Sequence, residues 1–172
     1  GRTARRRIRE VVVEEFTLRG RLDSLLAGRG AHISFRQAID GFPPEMAGTR
    51  VENLAHTAWH LLYHAQLVQW DIVDFIRNPS HDSPSYPSGF WPGEDAPRSE
   101  EEWHDTIRRF EEDLAWMRRL VTDPETDLFA PFAHGAGHNV FHEAVTLADH
   151  NSYHIGQLVD LRMLLGIPVR DW

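Results

Sequence analysis

The chain contains no cysteine, and that absence removes more chemistry than any other. Disulfides, thiolate metal ligands and a thiol nucleophile of the protein's own are excluded. Any sulfur chemistry must therefore use a thiol that arrives as a substrate. The lack of disulfides fits a reducing compartment, and a cytoplasmic location is expected. Long apolar runs are missing too. No stretch approaches the roughly 18 residues that cross a bilayer, so no membrane partner is expected. Positive charge is in the minority: a formal net charge of −8 disfavours the phosphate backbone of nucleic acids as a partner. The exception is a group of five arginines within Gly1–Arg9, read as a solvated, frayed terminus rather than a nucleic-acid arm. The chain starts at Gly1 without a methionine, which leaves a preceding leader open. Nucleotide fingerprints and nucleophile motifs are absent, and the lone Gly135-Ala136-Gly137 reads as a turn.

What is present is helical periodicity. At 172 residues the chain fits one domain, 1–172, large enough to bury roughly 70% of its unfolded surface. Four segments carry a helical period and none a convincing strand alternation. The first runs from about Ala4 to Ala27, with Ile8, Val11, Leu18, Leu22 and Leu25 on one face and Gly28 and Gly30 ending it. The second spans about Arg50 to Arg77, where Leu54, Leu61, Val68 and Phe75 recur every seven residues until Asn78-Pro79 stops it. The third starts at Ser99, whose run Ser99-Glu100-Glu101-Glu102 reads as a capping box, and Asp123-Pro124 closes it. The fourth covers about Asn139 to Leu165 and ends at Gly166 and Pro168. Four amphipathic helices and nothing else regular predict an all-α fold, a four-helix bundle. A long Pro-rich connection, Arg77 to Arg98, joins the second and third helices. Its aromatics Tyr86, Phe90 and Trp91 predict an ordered loop packed on the bundle, as a lid or a plain crossover.

Histidines occupy core positions in two of these helices. The run Leu147, His150, His154, Leu158, Leu161, Leu165 advances by 3, 4, 4, 3 and 4 residues, so two imidazoles point where leucines would be expected. On the second helix His56, His60 and His64 follow at i, i+4 and i+8. Successive members drift by about 40° around the axis, so only two share one narrow face. His64 lies on the apolar stripe, His60 on its flank and His56 further away. Burying neutral imidazoles costs free energy unless each finds a partner, and a divalent metal satisfies several at once. The predicted metal ligands are therefore His64, His150 and His154, with His60 as a possible extra. Core histidines bonded to backbone or carboxylates are the competing reading. Three imidazoles leave coordination positions open, the catalytic pattern for zinc and one also usable by nickel, iron or manganese. Asp149, Asn151 and Gln157 are placed to orient a ligand ring. Glu143, two turns before His150, is a candidate further ligand or general base. Glu143 and Asp149 are the candidate catalytic groups.

Two stretches carry a resemblance. Trp59-His60-Leu61-Leu62-Tyr63-His64, continuing to Gln69-Trp70-Asp71-Ile72, resembles the second helix of the DinB-like superfamily, bacterial four-helix bundles also described as YfiT-like metal-dependent hydrolases. Ala148-Asp149-His150-Asn151-Ser152-Tyr153-His154-Ile155-Gly156-Gln157-Leu158 resembles that family's last-helix signature. The Arg77-Asn78-Pro79 exit, the Pro-rich loop from Tyr86 to Pro92 and His32 resemble one branch of it; His60 and His138 look like departures. The resemblance runs from about Leu18 to Gly166. It implies His64, His150 and His154 as ligands of a divalent transition metal, zinc or nickel first and iron or manganese next, and it implies a homodimer. Relatives include transferases that use low-molecular-weight thiols. The expected function is thus a metal-dependent enzyme, a hydrolase or thiol S-transferase, that activates water or a thiol cosubstrate against a small-molecule substrate. The alternatives are a non-catalytic or stress-responsive metal-binding module and an adaptor acting through helix surfaces, which would need a large exposed apolar patch.

Overall fold

A computed structural model describes residues 17–169. The described residues are helical, with no strand among them. In chain order the helices are α1 (Leu18–Leu26), α2 (Phe35–Ile39), α3 (Ala58–Arg77), α4 (Glu100–Thr122) and α5 (Val140–Leu164). None of these helices is long and apolar enough to cross a membrane. The arginine-rich segment, and the part of the predicted first helix carrying Ile8 and Val11, lie outside the described residues.

Each long helix starts where a side chain can satisfy its first free amides. Thr57 accepts from His60 N, Ser99 from Glu102 N and Asn139 from His142 N. The expected capping box at Ser99 is only half formed. The Glu102 carboxylate turns to the backbone N–H and guanidinium of Arg98 instead. The predicted second helix is shorter than expected: α3 begins at Ala58, not near Arg50. Residues 50–57 are irregular, with Asn53 at a φ of 66°, and Leu54 lies off the helix and exposed. The sequence reading also missed α2. Ser34 and Gln37 cap it reciprocally, and it buries Phe35, Ala38 and Ile39.

Helix α3 packs along α4 and α5, α1 along the same two, and α2 on α5. The apolar interior forms two clusters. One gathers Phe35, Trp59, Leu62, Trp103, Phe110, Ile155 and Leu158; the other Leu22, Ile72, Val73, Met117, Val121 and Leu147. A polar rung crosses between them. Asn151 of α5 donates to Gln69 Oε1 of α3 at 3.0 Å, and Gln69 Nε2 donates to the Phe110 carbonyl of α4. Gln69 is fully buried and Asn151 nearly so. Both ends of the Gln69 amide are paired, whereas on Asn151 the amide nitrogen is paired and the buried Oδ1 is not.

The segment between α3 and α4 is held down along its length. His81 is buried between Asp71 and Asp74 of α3, 2.7 Å from each. Asp95 forms a two-point pair with Arg50, and its carbonyl accepts from Thr57 Oγ1 at 2.7 Å. Gly48 lets this strap lie close, since a Cβ there would collide with Ala96.

The rung makes a testable demand. Gln69→Ala removes a donor and an acceptor and leaves a cavity, so urea unfolding should show a loss of about 3 kcal/mol. An unchanged midpoint would mean the rung contributes nothing.

Candidate metal centre

The structure brings His64 of α3 together with His150 and His154 of α5. One ligand atom from each lies within 4.8 Å of the other two. The Nε2 atoms of His64 and His150 are 3.1 Å apart, and the three ring centroids are separated by 4.5 to 5.0 Å. His154 is buried, and His64 and His150 are partly so.

Their orientation is set from behind. The Nδ1–H of His64 donates to the Phe90 carbonyl at 3.0 Å, and that of His154 to Gln157 Oε1 at 2.7 Å. A carbonyl oxygen only accepts, so each of these rings carries its proton on Nδ1 and turns a bare Nε2 toward the cluster. His150 differs: its buried Nδ1 has no hydrogen-bond partner. Trp91 lies flat on His64, ring centroids 3.9 Å apart, and also stacks on His56 at 4.0 Å.

Burial keeps the three rings neutral. It pushes His150 down to about 3, helped by the neighbouring imidazoles of His154 and His64. His154 falls to about 4, mainly through burial, although its bond to Gln157 acts the other way. His64 is lowered by burial against the opposing Phe90 carbonyl. Neutral imidazoles are the form that binds a metal; here the one proton in the way is that on His150 Nε2, shared with the bare Nε2 of His64.

The other predicted residues lie elsewhere. His60 does not join the cluster. Its Nδ1 accepts from Thr57 N in the α3 cap, and its Nε2 faces Asp95 at 3.6 Å. Asp149 is exposed and stays outside the cluster. Glu143 is buried but accepts from His138 Nδ1 at 2.7 Å, away from His150. His32 bonds the Ile33 carbonyl and Ser152 Oγ. Sequence reasoning missed Trp91, His56 and the Phe90 carbonyl as neighbours of the cluster; only the loop's aromatic content hinted at them. Among the described residues, no fourth histidine or carboxylate completes the set.

Comparison of the chain with protein-family models, curated proteins and solved structures finds no match.

The lowered pKa values carry a sign. Between about pH 4 and 6.5 the unfolded chain binds protons that the folded rings refuse, so acid weakens the fold over that interval. Above about pH 6.5 both states hold neutral rings and the effect is flat. Relative to His150→Asn, the metal-free wild type should therefore lose up to about 1.4 kcal/mol per pH unit as pH falls through that window. Urea titrations at several pH values measure it; parallel pH profiles would refute the burial of a neutral His150.

Proposed function

We propose that the chain is a DinB-like four-helix bundle, with α1, α3, α4 and α5 as its four helices, and that His64, His150 and His154 hold a divalent transition ion for catalysis. The carrying observation is the donor set. Three neutral imidazoles from two helices converge within 4.8 Å, two of them with Nδ1 already engaged and Nε2 directed inward. Imidazole nitrogens suit zinc, nickel or iron, whereas magnesium prefers oxygen ligands. The residues fit such an ion in a second respect: the 3.1 Å approach of two Nε2 atoms can hold at most one proton between them, and a cation satisfies both lone pairs.

When bound, a divalent ion at this centre supplies Lewis acidity that lowers the pKa of a water or a thiol. The protein's own groups supply the rest. The Phe90 carbonyl and Gln157 fix the tautomer and tilt of their rings. Trp91 covers one face of His64 and keeps water from it. Three protein donors leave room for a small molecule, which supports an enzyme over a closed structural site. With no cysteine in the chain, thiol transfer would draw its sulfur from a low-molecular-weight thiol; hydrolysis would draw on water.

Metal-free protein titrated with zinc tests the centre. At a hundredfold excess over Kd, binding adds about 2.7 kcal/mol, so zinc should raise the wild-type Tm by about 5–10 °C more than that of His150→Ala. Equal shifts would remove the centre. A low-molecular-weight thiol added to cobalt-loaded protein should add a near-ultraviolet sulfur-to-cobalt band. A loaded centre that neither thiol nor anions perturb would favour the non-catalytic module.

A further inference from the structure

A second group of donors assembles on α5 before the first. His138, His142 and Glu143 each bring one ligand atom to within 4.8 Å of the others. The loop ahead of α5 is what delivers His138. Residues 132–138 fold back through Phe132 N to the His138 carbonyl and His138 N to the Gly135 carbonyl, both 2.8 Å. Ala136 and Gly137 take positive φ, 47° and 95°, to make that reversal. Asn139 then accepts from His142 N at 2.9 Å, which fixes His142 in the first turn. Glu143 follows it, only 5% exposed, and its Oε1 accepts from His138 Nδ1 at 2.7 Å.

This carboxylate is unusual in its setting. A buried Glu needs compensation for lost hydration, and its two oxygens offer about four acceptor sites. The two imidazoles beside it remain exposed, with ring centroids 4.6 Å apart, so an ion can reach them from solvent. The partial positive charge of the helix N-terminus opposes a cation here, and the Glu143 anion offsets it.

We propose that His138, His142 and Glu143 form a second divalent-cation site, of the two-imidazole, one-carboxylate kind that takes zinc, cobalt or nickel rather than magnesium or calcium. It is separate from the first centre: Glu143 and His150 are seven residues apart on one helix, about 10 Å along its axis. An ion there would clamp the 132–138 loop onto the first turn of α5. That loop's other anchors are the His134 Nε2–H donated to the Phe75 carbonyl at 2.8 Å and the Phe75 ring against Phe132. Binding needs the His138 ring proton on Nε2, which frees Nδ1 for the ion.

Ion counting by elemental analysis, on tag-free protein equilibrated with zinc chloride, decides it. The His150→Ala protein should retain one zinc per chain, and the His142→Ala/His150→Ala double variant none. His142 is exposed, so the extra substitution leaves the fold intact, which circular dichroism verifies. Equal zinc counts in the two variants would overturn the second site whatever the first one does. Proteolysis within residues 132–138 of His150→Ala should slow on adding zinc; an unchanged rate would overturn the clamp.

Discussion

The structure depends on keeping three imidazoles uncharged in a partly buried place. A histidine at a leucine position is tolerated only when its polar atoms are matched, and here the matches come from different parts of the chain. The Phe90 carbonyl serves His64, and Gln157, one turn along the same helix, serves His154. Each donation from Nδ1 leaves a lone pair on Nε2, so hydrogen bonding at the back of the ring creates the donor at its front. The close approach of the His150 and His64 Nε2 atoms marks the remaining frustration at the front of the cluster, and it is this contact that a cation would relieve.

The cluster in turn relies on the strap between α3 and α4. Phe90 and Trp91 belong to that segment, so its position sets the tautomer of His64 as well as the cover over its ring. Three polar anchors hold it: His81 between Asp71 and Asp74, Asp95 with Arg50, and the Asp95 carbonyl with Thr57. Burial alone would lower the His81 pKa, but hydrogen bonds and charge from Asp71 and Asp74 outweigh it and raise the value. A raised value means this anchor is fullest below the ordinary histidine pKa and is lost as pH climbs through the raised one. The imidazoles of the cluster follow the opposite rule. The strap and the centre it covers therefore respond to acid in opposite senses.

Periodicity made the helices legible because their buried stripes repeat over several turns. α4 begins beside Ser99 as its capping chemistry suggests, and α5 beside Asn139, where its period starts. The heptad through Leu54 misled at the start of α3, since spacing persists into residues that a cap at Thr57 has already cut off. α2 was missed for the reverse reason: five residues are too few to show a period, although its Ser34–Gln37 capping box was there to read. The stripe argument singled out His64 over His56, and the structure puts His64 beside His150 and His154. What spacing could not show was contact across the chain. Trp91 on His64, the Phe90 carbonyl and the pairing of Glu143 with His138 join residues whose proximity only the folded loops create.

Whether the centre stays open turns on His60, one turn before His64 on the same helix. Its Nδ1 accepts the Thr57 amide, and Thr57 in turn accepts from His60 N, so the ring is part of the device that starts α3. Swinging it toward the cluster would break the side-chain half of that cap and leave the Thr57 N–H buried without a partner, a cost of about 1–3 kcal/mol. It would also pull the ring from Asp95, whose charge partly offsets the lowering of the His60 pKa by burial and by Arg50. The geometry thus opposes His60 as a fourth ligand twice over: it lies outside the 4.8 Å group, and its ring is engaged in starting α3. On the proposed reading, that is why three donors remain three and a small molecule can complete the coordination.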